Sequence, residues 1–484
     1  MSSSLNNQLL FVKYFGIRLL FLMIPKPLKQ YTLFKKNYPF RSPRCRLSEP
    51  EADKYVLQTK LPDPSINAIR GEKNQMKWRP TGLKIAMLSI HSSPVGDLGT
   101  QDTGGMSVYV REMAKELGRK GHHIDIFTQH NAGNYDPVIH LYDNVRLVHL
   151  SGGTHGNIAK SSLYEVLPQL FNELESFRIK ANIAYDIIHS HYWLSGVLGL
   201  KLQSSWNAYH LITYHTIGAV KNLTCTTENA SELRLTNEKQ LAEQCDQIIV
   251  STQKDKEYLI QHYNAAVDNI RMVPCGVNLE LFKPMDKLSV RRHLAFHVDD
   301  LIVLYVGRYT PIKGLDRLFK SFRYLAHLPH LRLVMVGGDG QHSPMLRQLQ
   351  SKAKALHIEN RLMFAGRVDQ ETLPEYYSAA DVLVVPSYYE SFGLVALEAL
   401  ACGTPVVTTS VGAMEDIVKD GVTGYVAKDM DPKHYAWLIE IILLKQQQNG
   451  ISPSEIRSSV AEFTWSRSAS LLLDAYQLAS ADKS

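Results

Sequence analysis

Short apolar runs alternate with amphipathic stretches along the chain from Lys84 onward. The first run, KIAMLSI at residues 84–90, precedes a glycine-rich loop. In the following stretch, residues 106–121, the side chains of Val108, Met113 and Leu117 share one helical stripe, and a glycine ends the pattern. Four further runs continue the series: HIDIFT, YDIIHSH, HLITYH and DQIIVST. Apolar strands that alternate with helices predict a parallel sheet with both faces covered.

The same alternation restarts after residues 270–284. Six more apolar runs follow, most of them separated by helical stretches: LIVLYVGR, LRLVMVGG, RLMFAG, DVLVVPS, TPVVTTS and GYVA. The predicted fold is therefore α/β, with two doubly wound, Rossmann-like domains joined near Pro274–Pro284. Ligands of such sheets bind at the carboxyl ends of the strands. The motifs below follow strands, so two domains that face each other would bring them into one cleft.

Length and composition divide the chain further. A chain of 484 residues is too long for one ordinary core. We expect a basic N-terminal extension at 1–80, a first Rossmann-like domain at 81–280, a second Rossmann-like domain at 281–460, and a helix within 461–484 that crosses back to the first domain. Five cysteines, odd in number and widely scattered, indicate a reduced, cytoplasmic compartment and no structural zinc.

The first 80 residues differ from the rest in charge. They carry 15 Lys and Arg against 5 Asp and Glu, a balance of +10, so the total of +6 leaves the remainder near −4. The body of the protein is therefore not a nucleic-acid binder by charge. The apolar run at 9–24 is too short and too charged for a membrane span. A poorly ordered, dispensable extension is the favoured interpretation, and peripheral membrane contact through residues 1–46 is the alternative.

Two loops have the features of an anion site. Gly104 and Gly105 precede a predicted helix, whose unpaired N–H groups and positive dipole end favour an anion, with a plain turn as the alternative. Arg308 follows a strand and Lys313 precedes a helix. Two cations five residues apart beside a helix N-terminus suit a diphosphate, with two solvated charges as the alternative.

The segment PSYYESFGLVALEALACGTPVV, residues 386–407, contains two glutamates in otherwise apolar surroundings. Glu390 falls in a loop after a strand, and Glu398 falls on the helix that follows. Eight positions at about 100° each amount to two turns and some 80°, so the two carboxylates should not share one face. A carboxylate accepts two hydroxyls well, as in a sugar diol or a ribose. We predict that each carboxylate contacts a different part of one ligand; loop solvation and a capping or ion-pair role are the alternatives.

This segment resembles the E-x7-E signature of retaining, two-domain (GT-B) glycosyltransferases, the family that includes sucrose-phosphate synthases. The likeness extends from Lys84 to about Gln477 and also rests on TQDTGGMSVYV, YDIIHSHYWLSG and YHTIGAVKN. Within the family, the sequence is most similar to the mycothiol-pathway enzymes that join GlcNAc from UDP-GlcNAc to inositol phosphate. The resemblance implies retaining hexosyl transfer from a nucleotide sugar to a small acceptor. It also implies that the domain at 81–280 binds the acceptor and that the domain at 281–460 binds the nucleotide sugar.

The resemblance also implies roles for individual residues. Glu390 would bind hydroxyls of the donor sugar, Glu398 the ribose, and Arg367 would lie near the uridine. The implied donor-binding set is Gly105, Arg308, Lys313, Arg367, Glu390, Ser391, Phe392, Gly393, Leu394 and Glu398. His215 would lie beside the anomeric carbon, and the implied catalytic residues are His215, Arg308, Lys313 and Glu390. Tyr192, Thr216 and Arg234 match positions that bind the acceptor phosphate.

Two departures from the inositol-phosphate enzymes fall on the acceptor side. Leu163 stands where those enzymes have a further phosphate-binding lysine, and Lys160 lies three residues earlier. A shift of three in a helix keeps nearly the same face, so we expect Lys160 to reach the phosphate. Ser107 stands where an asparagine is expected. The acceptor is thus open between an inositol phosphate and a hexose phosphate.

Other functions remain as alternatives. One is a UDP-glucose- or GDP-mannose-dependent transferase that acts on a lipid or glycan, and another is a regulator that binds a sugar nucleotide without turnover. A dinucleotide-dependent oxidoreductase would need G-x-G-x-x-G after the first strand, which HSSPVGDLGTQDTGG lacks. We expect neither a cofactor nor a metal: the pair His189 and His191 is more typical of packing, and Asp429 and Asp431 lie in a late loop. A homodimer is also left open.

Overall fold

The computed structural model describes residues 82–96, 103–129, 136–153, 158, 160–224, 229–338, 340, 343–448 and 452–481, with side chains as far as 477. The N-terminal extension, with its expected membrane contact through residues 1–46, lies outside the described residues. Along the described chain, no helix combines the length and the apolar character needed to cross a bilayer.

The first lobe is built on an eight-stranded sheet, counted over the described residues, with strand order β3-β4-β2-β1-β5-β6-β7-β8. Its strands are β1 (Lys84–Leu88), β2 (His123–Gln129), β3 (Val138–Tyr142), β4 (Val145–Leu150), β5 (Ile187–His191), β6 (Tyr209–Thr213), β7 (Gln247–Val250) and β8 (Ile270–Met272). Its helices are α1 (Gly105–Arg119), α2 (Leu167–Lys180), α3 (Trp193–Trp206), α4 (Gly218–Thr224), α5 (Glu232–Gln244) and α6 (Gln253–Tyr263). All strand pairs are parallel except β3 with β4.

The second lobe is built on a six-stranded parallel sheet, again over the described residues, with order β11-β10-β9-β12-β13-β14. Its strands are β9 (Leu301–Val306), β10 (Leu331–Val336), β11 (Leu362–Gly366), β12 (Val382–Val385), β13 (Val406–Thr409) and β14 (Gly424–Ala427). The helices after the first lobe are α7 (Lys287–His293), α8 (Leu315–Tyr324), α9 (Pro344–Ala355), α10 (Leu373–Ala379), α11 (Leu394–Ala401), α12 (Met414–Ile417), α13 (Pro432–Gln447), α14 (Pro453–Ser458) and α15 (Trp465–Ala481).

The predicted fold class is confirmed, and each apolar run named from the sequence forms a strand. The runs form strands because β-branched and leucine side chains alternate between two covered faces, and most of these strands are buried along their length. The antiparallel hairpin of β3 and β4 was not predicted. Its edge strand β3 is only half-buried, so its apolar pattern is weak. The available signal was Asn144, which has the left-handed φ of 61° that a tight turn needs.

The last helix returns to the first lobe. The backbone N–H of Val277, in the connection between the lobes, donates to the Phe463 carbonyl at 2.9 Å, just before α15 begins. A Cβ added to Gly276 would lie 2.3 Å from the backbone nitrogen of Trp465, so only glycine permits this approach. The Trp465 ring then packs edge-on against Tyr109 of α1, and the Tyr476 hydroxyl is 2.8 Å from His189 of β5. Helix α15 therefore joins the two lobes.

Two polar contacts also cross the cleft between the lobes. The ammonium of Lys254, on α6, is 2.6 Å from a carboxylate oxygen of Glu415 on α12 and 3.1 Å from the Ser410 hydroxyl. The Arg111 guanidinium, on α1, donates to the side chain of Gln370, just after β11. The carboxyl ends of the two sheets thus face one another. Ligands of doubly wound sheets bind at these ends, so one ligand site can be shared by both lobes.

Candidate active site

Two loops of the second lobe meet at the carboxyl end of its sheet. One runs from Arg308 through a short 3-10 helix, Pro311–Lys313, to Gly314, and the other follows β12. Gly314 has a φ of 70°, and a Cβ added there would lie 1.9 Å from the Pro386 carbonyl oxygen. The backbone N–H of Tyr388 donates to the Ile312 carbonyl at 2.8 Å. A glycine is therefore required for the two loops to lie in backbone contact.

That contact brings the predicted diphosphate cation and the predicted sugar carboxylate together. The Lys313 ammonium is 2.6 Å from Oε1 of Glu390, and the Ser387 hydroxyl donates to the same oxygen at 2.7 Å. Both charged side chains are largely buried, with 21% and 12% exposure. A partly buried, charge-assisted pair of this kind has a well-defined geometry.

The beginnings of two helices approach each other across the cleft. Helix α11 begins after Gly393, and α1 begins after Gly104. Both N-cap residues are glycines, so no N-cap side chain forms a hydrogen bond with the first N–H groups of either helix. A Cβ added to Gly105 would lie 3.6 Å from Cδ1 of Leu394. The first N–H groups of a helix have no carbonyl partner within the helix, and the dipole makes that end positive. Negative charge is therefore favoured between the two helix beginnings.

The segment between Glu390 and α11 leads directly into the beginning of that helix. Ser391 and Phe392 come directly before the Gly393 N-cap, whose φ is 112°. The Phe392 side chain is buried, and its carbonyl accepts a hydrogen bond from Ala413 at 3.0 Å. The loop is thus fixed against the turn that follows β13.

Glu398 lies deeper, on α11. Its carboxylate is buried and accepts a hydrogen bond from the Tyr377 hydroxyl at 2.7 Å. Burial raises the pKa of Glu398 to about 7, and the hydrogen bond from Tyr377 only partly opposes this. The carboxylate lines a cavity between the lobes, together with residues of α1, the interlobe connection and α15: Val108, Glu112, Asn278 and Trp465.

Arg367, the residue predicted to lie near the uridine, is at the protein surface. It follows β11, and its side chain is exposed. Gln370, three residues later, is buried, lines the same cavity as Glu398 and contacts Arg111 of the other lobe. The loop after β11 therefore borders the cavity.

His215 follows β6 of the first lobe, at the carboxyl end of the sheet. Its φ of 57° is left-handed, and the backbone N–H of Thr216 donates to the Tyr214 carbonyl at 2.7 Å, closing a tight turn around it. Its Nε2 is 2.9 Å from Nδ1 of His191. Burial lowers the pKa of His215 to about 3. The imidazole is therefore neutral at physiological pH and does not supply a positive charge.

The four predicted acceptor residues form one cluster. The Arg234 guanidinium, on α5, donates to the Tyr192 hydroxyl at 3.1 Å and to the Thr216 hydroxyl at 3.0 Å. Its Nε also donates to the buried carboxylate of Glu238 at 2.6 Å, so the guanidinium is oriented by its own helix. The Lys160 ammonium lies 4.5 Å from the centroid of the Tyr192 ring, and the Arg234 guanidinium lies 4.8 Å from it. Two cations thus converge beside one aromatic ring.

Tyr192 has a strained backbone. Its φ of 75° and ψ of 159° lie in a region that is essentially restricted to glycine, at a cost of about 1–3 kcal/mol. It forms the N-cap of α3, and its backbone N–H donates to the Thr213 carbonyl at 2.9 Å. The strain is located at a residue whose ring and hydroxyl both contact the cations.

Lys160 was expected on a longer helix, whereas it begins a single 3-10 turn, Lys160–Ser162. Leu163, which stands where the inositol-phosphate enzymes have a further lysine, is buried.

Several residues of the site were not predicted. Ser387 and Tyr377 orient the two glutamates, and Glu238 orients Arg234. His91, next to the Tyr192 ring, has a buried Nδ1 with no hydrogen-bond partner among the described residues. Burial lowers the pKa of His91, and the nearby Lys160 and Arg234 lower it further. Only Ser387, three residues before Glu390, was visible as a local signal in the sequence.

The histidine pair of β5 takes part in hydrogen bonding. His189 contacts the Tyr476 hydroxyl through Nδ1 and the Thr213 hydroxyl through Nε2, at 2.8 and 2.9 Å. Within the described part of the chain, no group of three or more His, Cys, Asp or Glu side chains is placed to bind a metal ion.

Sequence profiles match both lobes. The profile described as Glycosyltransferase Family 4 matches residues 103–281, and that of Glycosyl transferases group 1 matches residues 286–457. The D-inositol 3-phosphate glycosyltransferase of Geodermatophilus obscurus is 36% identical over 411 residues, covering 82% of this chain and 89% of that protein. The chain therefore belongs to the glycosyltransferase family that these two profiles and this relative represent. The enzyme of Mycobacteroides abscessus with the same name is also 36% identical, over 82% of this chain and 90% of its own length.

Solved structures agree with this family. A sucrose-phosphate synthase from Thermosynechococcus elongatus is 34% identical, with a TM-score of 0.75 over 82% of this glycosyltransferase and 98% of that chain. Anabaena HepE in complex with UDP and glucose has a TM-score of 0.64 over 82% of this chain and all of that one, at 17% identity. The second likeness shows the fold alone, which is GT-B.

Proposed function

We propose that this glycosyltransferase moves a hexosyl unit, GlcNAc or glucose, from a UDP-sugar to a small phosphorylated polyol or sugar, with retention of configuration. The observation that carries the proposal is the pair of charged clusters that face the same cleft. On the donor side, Lys313 and Glu390 form an ion pair just before α8 and α11 begin. On the acceptor side, Arg234 and Lys160 lie beside the Tyr192 ring. The name of the inositol-phosphate relatives and that of the sucrose-phosphate synthase both support a phosphorylated acceptor.

On the donor side, the proposed binding mode uses the beginning of α11 and Glu398 within that helix. The diphosphate lies against Lys313, Arg308 and the amides at Gly105 and Gly393, where negative charge is favoured. Glu390 accepts hydrogen bonds from the sugar hydroxyls, and Glu398 accepts them from the ribose.

The chemical step then needs little from side chains other than placement. The bond between the anomeric carbon and the diphosphate oxygen breaks, and the negative charge on the leaving UDP is stabilised by fixed cations and N–H dipoles. The acceptor hydroxyl forms the new glycosidic bond on the same face, and its proton passes to a diphosphate oxygen. A neutral His215 contributes through its backbone carbonyl or its ring, which lie beside the reacting carbon. We propose that no metal takes part, and turnover in EDTA tests that point.

The pH dependence of donor binding tests the role of Glu398. With a pKa of about 7, its carboxyl is protonated below neutrality, whereas ribose hydroxyls donate to the ionised form. Binding must then release a proton, so we expect the Kd for UDP-glucose to rise by up to about tenfold per pH unit below 7. Calorimetry between pH 8 and 6 measures this. The Glu398→Gln variant should bind weakly at pH 8 and lose the dependence; an unchanged pH profile in that variant would assign it to another group.

A matched acceptor panel tests the function as a whole. Purified enzyme is incubated with UDP-glucose, UDP-GlcNAc or GDP-mannose, and with D-myo-inositol 3-phosphate, D-fructose 6-phosphate or their dephosphorylated counterparts. We expect product from one UDP-sugar, and at least tenfold higher kcat/KM with a phosphorylated acceptor than with its neutral form, because charge-assisted bonds to phosphate contribute about 1.5–3 kcal/mol each. Equal rates with the neutral polyol would argue against the acceptor-phosphate site.

The alternatives give other results in the same panel. A transferase for lipid or glycan acceptors would turn over none of the four small acceptors, and GDP-mannose as the only productive donor would exclude a UDP-sugar. A non-catalytic regulator would bind a sugar nucleotide without releasing sugar. The intact set of Arg308, Lys313 and Glu390 favours turnover over the regulator.

A further inference from the structure

We propose that Tyr389, with Ile312, forms an interlobe plug that positions Glu390 and Lys313, and that Tyr389 thereby links the acceptor side of the cleft to the donor side. Both residues belong to the second lobe, yet both are buried in an apolar cluster that otherwise consists of first-lobe residues such as Tyr214, Ile217 and Tyr263. The inference rests on the proposed function, because it assigns Glu390 to the donor sugar and Arg234 to the acceptor phosphate.

The plug residues are the immediate neighbours of the charged pair. Ile312 precedes Lys313 and Tyr389 precedes Glu390, with exposures of 8% and 9%. The backbone contact between Tyr388 and Ile312 ties the two loops together at that point. Anchoring the two apolar side chains in the other lobe therefore restricts where the adjacent ammonium and carboxylate can lie. Such rigid placement is what charge stabilisation in a transition state requires.

Tyr389 also makes a specific polar contact with the acceptor loop, defined here as residues 215–219. Its hydroxyl accepts a hydrogen bond from the backbone N–H of Ile217 at 3.3 Å, 172 residues away in the chain. The same loop is bound on its other side by the acceptor cluster. Glu238 accepts a hydrogen bond from the N–H of Gly218 at 2.8 Å and contacts Arg234 at 2.6 Å.

A continuous path of contacts thus runs from the acceptor cluster to the donor carboxylate. It passes from Arg234 to Thr216, along the acceptor loop to Ile217, across the cleft to Tyr389, and along one peptide bond to Glu390. Among the described residues, Tyr389 forms no hydrogen bond with Lys313 or with the side chains of the acceptor cluster, so it is a positioning residue. The path predicts that occupation of the donor site changes the protection of the acceptor loop in the other lobe.

Hydrogen exchange of full-length enzyme tests this without knowledge of the acceptor. In the absence of ligand, we expect Tyr389→Phe to increase exchange at the Ile217 amide by about 2- to 12-fold, the range for one neutral hydrogen bond. UDP should slow exchange in the acceptor loop of the wild type. That slowing should persist in Tyr388→Phe and be reduced in Tyr389→Phe. Tyr388 is the matched control, because its side chain contacts Asp316 and Arg317 of its own lobe, and its backbone contact with Ile312 is kept in the variant.

A kinetic comparison separates positioning from folding. Tyr389→Phe should retain the melting temperature and the UDP Kd of the wild type within twofold, while kcat falls by about 2- to 12-fold; Tyr388→Phe should keep the wild-type kcat. The proposal is overturned if Tyr389→Phe matches Tyr388→Phe in both Ile217 exchange and kcat. Absence of UDP binding in the wild type would instead refute the proposed donor, and ligand-free exchange at Ile217 would still decide whether the contact exists.

Discussion

Replacing Lys313 by alanine is expected to lower kcat/KM by roughly 10²–10³-fold, and Arg308→Ala is expected to do the same, by analogy with loss of one charge-stabilising donor. Lys313 pairs with Glu390 at 2.6 Å, in loops that precede α8 and α11. Its removal would withdraw a cation from the leaving diphosphate and would also leave Glu390 without its counter-charge. Steady-state kinetics with the best donor and acceptor from the panel measure the effect.

The matched control for this prediction is Lys320→Ala. Lys320 belongs to α8, which begins just after Lys313, but its side chain is exposed. It should therefore change kcat/KM by less than about twofold, as is usual for exposed charges away from a site. If both Lys313→Ala and Arg308→Ala retained near-normal kinetics, the diphosphate would have to lie elsewhere.

Replacing Arg234 by alanine is expected to raise the KM for the phosphorylated acceptor by roughly 10- to 150-fold, while donor hydrolysis in the absence of acceptor stays unchanged. The reason is geometric: the guanidinium is directed at Tyr192 and Thr216, where the acceptor phosphate is proposed to lie. The KM for the dephosphorylated acceptor should not change, since no charge-assisted bond is lost there.

The free energy of unfolding of Arg234→Ala has to be measured as a control, because Arg234 also pairs with a buried carboxylate. Glu238 is fully buried, and Arg234 is its ion-pair partner, so Arg234→Ala leaves a buried carboxylate unpaired and is expected to cost about 3–5 kcal/mol in the free energy of unfolding. Arg234→Lys keeps the charge but loses the fork of donors, and should give a smaller rise in KM with a smaller loss of stability. An equal loss of affinity for phosphorylated and neutral acceptors in both variants would remove the phosphate site from the proposal.

The predicted residues differ in how much of their role was local. The Lys313 loop and the Glu390 loop could be assigned to the ends of strands because apolar runs end just before them, and parallel strands end at one edge. Their direct contact could not be predicted. It depends on Gly314 lying against the Pro386 carbonyl, a backbone approach between segments about 70 residues apart. The sequence suggested that Lys313 and Glu390 contact different parts of the ligand. In the folded chain they also form an ion pair with each other.

The acceptor cluster shows the same limit. Lys160, Tyr192, Thr216 and Arg234 could be named from their likeness to a family pattern, but no periodicity places them together. The strained backbone of Tyr192 and the buried charge of Glu238 are tertiary features, because both exist only when surrounding elements hold them in place. The raised pKa of Glu398 is also a tertiary feature, since it follows from burial of the carboxyl group in a cavity between the two lobes.

The sequence by itself determined the alternation of strands and helices, the two sheets and the glycines at their turns, because these follow from side-chain periodicity and backbone freedom within a few residues. The tertiary structure alone decided which side chains meet across the cleft. Tyr389 and Ile217 are 172 residues apart, and Arg111 and Gln370 are 259 apart, yet both pairs are in hydrogen-bond contact. Such contacts depend on how two independently folded sheets pack against each other, and local patterning carries no information about that packing.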